Sequence, residues 1–399
     1  MNTKRYPLAS STWGTEEIEA VESVLASGNF TMGQRVKEFE SAFADYVGTK
    51  HAVMVNSGSS ANLVLLAALK YVKGSNLKEG DEVIVPAVSW STTFYPIQQL
   101  GFKLRFVDVN RSTLNIDVGQ VARAITNKTK IVFAVNLLGN PCDFRKLKEI
   151  CESRQLILIE DNCESLGAKY HNRFTGSIGK AGTHSFFFSH HICTMEGGMV
   201  TTDDKSLAET MQSLRAHGWI RGLERENSVF NFSENEWDNQ WKFVLPGYNL
   251  RPLEIEAASG LAQLKKLPFF ISERRLNAQR FFELFSKKPY LEIQEEIGES
   301  SWFGFSIILK GSLADRRTEL TAFFESKGID SRPIVTGNFL KNPVINYLPH
   351  SVFGEMKNAE RIDKNGLFFG NHHYPLTQEL EYLSQTIEEF VNMRDRVGA

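Results

Sequence analysis

Two adjacent histidines, His190 and His191, stand in the segment SFFFSHHICTMEGG that runs from Ser185 to Gly198. An imidazole moves protons near neutral pH or binds a metal, so this pair can carry acid-base chemistry. Two neighbouring histidines can equally be a satisfied polar turn, and the pair alone does not choose. A second position is Asp161 in ILIEDNCES, a carboxylate directly after an apolar run, where burial is costly unless a cation pairs with it. Glu164 follows it closely. A third is the turn NSGSSAN over 56–62, which offers backbone N–H groups and hydroxyls at the start of a helix, a seat suited to a phosphate dianion. Many strand-to-helix turns are small and polar for steric reasons alone. Trp90, after EVIVPA, is either core packing or a flat face for a bound ring.

The elements that must position these residues alternate. Apolar residues Ile18, Val21, Val24 and Leu25 at helical spacing predict a helix over 14–28, and a second runs from about Gly33 to Tyr46. A strand at His51–Val55 enters the small-residue turn, and the helix Leu63 to Val72 leaves it. Then follow strand Glu82–Pro86, helix Thr92–Leu100, strand Lys103–Val107, helix Val118–Ile125, strand Lys130–Val135, helix Phe144–Ser153 and strand Leu156–Glu160. Such βα units imply an α/β fold with a mostly parallel sheet flanked by helices and a site along the carboxyl ends of its strands. Ser59, Trp90, Asp161 and Glu164 fall at those ends.

Beyond the central segment, Met199–Thr202 reads as a strand and Leu207–Ala216 as a helix. The polar stretch 222–245 reads as an inserted loop, and Leu253–Leu267 as a long helix. A change of composition near residue 268 marks a boundary, giving an N-terminal segment (1–30), a large domain (31–267) and a smaller C-terminal α/β domain (268–399). Within the last, 299–305 and 328–333 read as strands.

With 399 residues, 42% of them hydrophobic and 23% charged, the chain can bury a sizeable core. A formal net charge of −2 carries no basic excess for nucleic acid. No apolar run reaches transmembrane length, and the first residues do not read as a signal peptide, so a cytoplasmic protein without membrane or nucleic-acid partners is expected. Cys142, Cys151, Cys163 and Cys193 are scattered, which argues against a zinc site or a disulfide framework.

The central segment resembles the pattern S-F-x-x-x-K-x-x-x-T-x-E-G-G of the DegT/DnrJ/EryC1/StrS sugar aminotransferases, a family of fold type I pyridoxal-phosphate enzymes. Ser185, Phe186, Thr194, Glu196, Gly197 and Gly198 fall in register. His190 takes the place of the lysine that tethers the cofactor. The resemblance extends from Tyr6-Pro7-Leu8-Ala9 to Gly370-Asn371-His372, and the stretches VPAVSWSTT, VNLLGNP, WKFVLPGYN, GESSWFGFS and RPIVTGNFLKN are most similar to the branch of C3-dehydratases that make dideoxysugars.

That resemblance implies a homodimer using pyridoxal 5'-phosphate and pyridoxamine 5'-phosphate. Gly58 and Ser59 would hold the phosphate, Trp90 would stack on the pyridine ring, Asp161 would pair with its nitrogen, and Glu164 and Ser185 would line the cofactor. Asn249 and Arg251, in the G-x-N-x-R segment, would complete the neighbour's site in trans. His190 is implied as the general base and acid, acting on an untethered cofactor. Its substrates would be L-glutamate as amino donor and a nucleotide-linked 4-keto-6-deoxyhexose, the GDP-mannose derivative above others. His191 and His217 are candidates to share the proton transfers. Arg332, Lys341 and Asn342 are candidates for sugar-nucleotide contacts, with solvated surface charge as the alternative. Relatives that also hold an iron-sulfur cluster bind it through a C-x-C pair, which this chain lacks, so neither a cluster, a metal nor a reductase is expected. The rival readings are a sugar aminotransferase or ketoisomerase-like variant, and a non-catalytic cofactor-binding protein.

Overall fold

The structure, a computed structural model, describes residues 4–395; the outermost positions of the first and last domain ranges, and of the N-terminal stretch read for a leader, lie outside the described residues. In chain order the elements begin with α1 (Thr15–Ser27), α2 (Gln34–Val47), β1 (His51–Val55), α3 (Gly58–Tyr71), β2 (Glu82–Pro86) and α4 (Ser91–Gln99). They continue with β3 (Lys103–Val107), α5 (Val118–Ala124), β4 (Thr129–Val135), α6 (Phe144–Ser153), β5 (Ile157–Asp161), β6 (Lys169–Tyr170) and β7 (Arg173–Phe174). Next come β8 (Ala181–Ser185), β9 (Gly198–Thr202), α7 (Lys205–Leu214), α8 (Glu236–Asn239) and α9 (Glu254–Phe285). The chain closes with β10 (Leu291–Ile293), β11 (Gly304–Leu309), α10 (Arg317–Ser326), β12 (His350–Val352), α11 (Lys357–Asn365), β13 (Gly366–Gly370) and α12 (Thr377–Asp395).

One eight-stranded sheet in the order β1-β9-β8-β5-β4-β2-β3-β12 organises the molecule. Its strands from β8 to β12 in that order pair in parallel, whereas β9 runs antiparallel to both β8 and β1. Two reversals leave β1 pointing the same way as β8. The carboxyl ends of β1, β2, β4, β5 and β8 therefore meet at one edge, the expected α/β arrangement. Strand residues such as Val53, Val85, Phe133, Ile159 and Val200 are fully or almost fully buried, because helices cover both faces of a parallel sheet.

Three expectations about elements need correction. The helix expected to end at Leu267 runs unbroken to Phe285, through Pro268; burial of Leu267, Phe270 and Ile271 outweighs the hydrogen bond that a proline removes. A boundary at 268 therefore falls inside a helix. The C-terminal part also reaches back, since β12 pairs with β3 and Phe303, Ile334, Phe339 and Phe368 join the core under the large sheet. Residues 299–303 are not strand: the chain passes Trp302 in a left-handed conformation (φ 48°) before β11 begins. Residues 328–333 make only isolated bridges, Tyr6 with Ile329 and Arg332 with Phe368.

The stretch 222–245 contains the short helix α8 and otherwise little regular structure. A three-stranded sheet, β10-β11-β13, packs with α9, α10 and α12 over a second core that includes Tyr6. The Tyr6 hydroxyl donates to Gly370 O at 2.6 Å. No described helix is long and apolar enough to cross a membrane.

Candidate active site

A cavity of about 330 Å³ opens where the strand ends meet, lined among others by Gly58, Ser59, Trp90, Asp161, Glu164, Ser185, His190 and Arg332. No lysine lines it.

At one end lies the first turn of α3. The sequence places the helix start at Leu63, yet it begins at Gly58, so the small-residue turn is itself helical. Ser57 caps it, its hydroxyl accepting from Ser60 N at 3.1 Å. The amides just ahead of Ser60 have no carbonyl a turn behind them within the helix, and with the helix dipole they make an anion seat. A side chain at Gly58 would put its Cβ 2.5 Å from Ser185 Cβ, so the close approach of α3 to β8 requires glycine here.

Asp161 is the last residue of β5 rather than the first beyond it, and is buried. Its Oδ2 accepts from Asn62 Nδ2 at 3.0 Å and from Thr93 Oγ1 at 2.7 Å; Oδ1 accepts from Cys163 N at 3.2 Å. These supports are themselves held: Thr183 Oγ1 donates to Asn62 Oδ1 at 2.6 Å, and Ser89 Oγ lies 2.8 Å from Thr93 Oγ1. Sequence reasoning gave Asn62 and Thr93 no role, although a polar residue directly ahead of the apolar run 63–69 was a usable signal. Trp90 is 53% exposed at the cavity mouth, so it is not core. Glu164 Oε2 accepts from Leu138 N at 3.1 Å; burial raises its pKa, opposed by Arg332.

On the opposite wall stands His190. Nδ1 is buried without a hydrogen-bond partner, and the Phe187 backbone acts on the ring in favour of its protonated form. The ring packs against Phe187 (centroids 6.1 Å apart) and Phe303 (5.3 Å). Its pKa is lowered to about 4, by burial first and then by the Arg332 and Arg274 cations, so it is neutral at pH 7. Arg332 reaches the cavity from across Phe368, its guanidinium carbon 4.4 Å from that ring's centroid.

Other candidates lie elsewhere. His191 is buried beside Phe303, with Nε2 3.2 Å from Ser301 O, and does not line the cavity. His217 is exposed in a turn, held through its backbone N to Tyr248 O at 2.7 Å. Lys341 is tied to Glu360 and Asp363, and Asn342 donates to Phe339 O. Asn249 is exposed and accepts from Arg251 Nε at 3.0 Å; neither lines this cavity. Among the described residues no group of three or more His, Cys, Asp or Glu is placed to hold a metal ion, and the four cysteines are free.

The arrangement fits a phosphorylated, nitrogen-containing planar ring: a helix start for the phosphate, a carboxylate for the ring nitrogen, an open indole face, and an imidazole on the opposite wall.

Comparison with known proteins agrees with this fit. The GDP-4-keto-6-deoxy-D-mannose 3-dehydratase of Escherichia coli O55:H7 is 52% identical over 385 residues, which span 96% of this chain and 99% of that protein. A solved structure of the E. coli GDP-4-keto-6-deoxy-D-mannose-3-dehydratase with bound hydrated PLP superposes with a TM-score of 0.94 at 52% identity, covering 96% of this chain and all of that one. A third, a GDP-4-keto-6-deoxymannose-3-dehydratase with a trapped PLP-glutamate geminal diamine, has the same TM-score, 0.94, the same identity, 52%, and the same coverage of this chain, 96%, and of its own, 100%. Residues 12–387 match one family throughout, and the chain belongs to it: the DegT/DnrJ/EryC1/StrS aminotransferase family.

Proposed function

We propose that this chain is a pyridoxal-phosphate-dependent sugar-nucleotide 3-dehydratase. It removes the C3 hydroxyl of GDP-4-keto-6-deoxy-D-mannose at the expense of L-glutamate, giving the 4-keto-3,6-dideoxy sugar, 2-oxoglutarate and ammonia. The observation that carries this reading is His190, a neutral imidazole facing a cofactor-shaped cavity that no lysine among the described residues lines.

The cofactor, when bound, carries nitrogen between donor and sugar and accepts the electron pair released when a neighbouring C–H bond ionises. Asp161 would hold a proton on the ring nitrogen, Gly58 and Ser59 would seat the phosphate, and Trp90 would offer its face to the ring. With Nδ1 of His190 sealed, Nε2 moves the proton, first as base and then as acid toward the departing C3 oxygen. Lacking an amine, His190 could not form a Schiff base with the cofactor, which would leave the nitrogen to depart as ammonia on hydrolysis. The electrons balance: deamination of glutamate to 2-oxoglutarate releases two, and replacing C–OH by C–H at C3 consumes two. Neither a reductase nor an iron-sulfur cluster is required.

The test is direct. Protein, pyridoxal phosphate and glutamate are combined, and a GDP-4-keto-6-deoxyhexose is added. Ammonia and 2-oxoglutarate formed in step with the deoxysugar support the reading; a stable aminated sugar overturns it in favour of an aminotransferase.

The protein works in the cytoplasm as a homodimer, with Asn249 and Arg251 serving the partner's phosphate site. Exposed Asn249, bonded to Arg251 outside its own cavity, supports this, as do the exposed apolar residues Phe187, Phe188 and Met195 in the segment that carries His190. Mixing inactive H190N and R251A subunits would restore about a quarter of wild-type activity through mixed dimers with one intact site; no recovery after subunit exchange overturns the shared site.

A further inference from the structure

Arg274, on α9, is 4% exposed. Its Nη1 donates to Asn371 O at 2.8 Å, Phe303 O at 3.0 Å and Trp302 O at 3.4 Å, while its Nε has no partner. No carboxylate among the described residues pairs with it. A buried cation held only by carbonyl dipoles is costly, and such a cost points to a use. Two of the three carbonyls it gathers belong to the loop 301–303, which carries Trp302 in its left-handed conformation and presents Phe303 to the cavity; the third, Asn371 O, follows β13. Asn371 Nδ2 braces the same loop, donating to Trp302 O at 2.9 Å. Phe303 in turn packs on both histidines, 5.3 Å from His190 and 5.7 Å from His191 between ring centroids, and Ser301 O accepts from His191.

We propose that Arg274 is a positioning residue for the proton transfer: it clamps the 301–303 loop so that Phe303 sets the plane of the His190 ring, and from behind Phe303 it adds an uncompensated positive charge. The proposal rests on His190 as the group that moves the proton. The charges around His190 are Asp161, Glu164 and Glu196 across the cavity, Arg332 from the C-terminal segment, and Arg274 from behind Phe303, with Cys163 and His191 as further titratable neighbours. Arg332 is open to ligands, so its charge is neutralised when an anionic substrate binds. Arg274 is sealed from them, and its field persists through turnover.

The test uses the full chain loaded with pyridoxal phosphate and ring-labelled histidine, the His190 signal being assigned with H190N. In R274Q the His190 titration midpoint is expected to rise by about half a pH unit or more. The glutamate half-reaction is expected to slow about tenfold at unchanged KM. R274K keeps the charge but cannot bridge the carbonyls as a guanidinium does, so its midpoint stays at the wild-type value while the rate falls. R274Q with wild-type midpoint and rate overturns the proposal. If R274Q does not fold, R274K decides: a tenfold slower half-reaction at an unchanged midpoint supports it, and a wild-type rate with an unmoved His190 signal overturns it. The ring signal reports the clamp even if His190 proves not to be the proton carrier, so the two failures are distinguishable.

Discussion

Asp161 and His190 face the same cavity and are held in opposite ways. Three donors fix the Asp161 carboxylate, and two of them, Asn62 and Thr93, are backed by Thr183 and Ser89. His190 has aromatic neighbours and no side-chain donor or acceptor fixing its buried Nδ1. Under the proposed function the contrast follows from what each group would do. A seat for a ring nitrogen keeps one charge throughout and gains from preorganised donors. A proton carrier changes charge within a cycle, and a fixed acceptor on its ring would stabilise one state and slow the return.

The sharpest way to break the contrast is H190N. It should lower kcat about 10²- to 10⁴-fold while leaving cofactor affinity within about twofold, because the seat lies on the sheet side; fluorescence titration with pyridoxal phosphate and single-turnover kinetics separate the two. D161A attacks the other wall. Losing a hydrogen bond to a charged group costs about 1.5–3 kcal/mol, so cofactor affinity should fall roughly ten- to a hundredfold, read by the same titration.

Acid tests the buried histidines together. His184 is held near 3 and His372 near 4, both by burial, with Arg274 adding to the effect on His372. Their folded forms stay neutral where unfolded ones bind a proton. Stability is thus full above about pH 6.5 and falls as pH drops from there toward the folded values, with a slope of up to about 1.4 kcal/mol per pH unit for each group. Urea midpoints at pH 7.5 and 5 measure this. For His190 the same direction places the acid limb of kcat/KM well below the usual imidazole range. The smallest change, T93V, removes one of two side-chain donors to Asp161 and should weaken cofactor binding about fivefold, the equivalent of about 1 kcal/mol; wild-type affinity would show that Asn62 alone holds the carboxylate.

The alternating strands and helices up to residue 161 were legible because a parallel sheet buried on both faces is written as short apolar runs. The positions facing the cavity at the strand ends, Ser59, Trp90, Asp161 and Glu164, came with them. His190 was legible only against the family pattern. What the sequence concealed depends on tertiary contact. Phe303 and Arg274 are ordinary side chains until the 301–303 loop brings them behind His190, and nothing in their local spacing says so. The alternation through Trp302 imitated a strand, and a change of composition at Pro268 imitated the end of a helix that packing carries onward.

The pairing of β12 with β3 bears on how the protein is made. On the ribosome, β3 emerges some 245 residues before its outer neighbour, the separation between positions 105 and 350, so its unpaired edge stays open during most of synthesis. At about 5–20 residues per second that interval lasts tens of seconds or less, and exposed edges recruit other chains. Nascent chains stalled before residue 350 should therefore bind holdase chaperones more strongly than chains released after it.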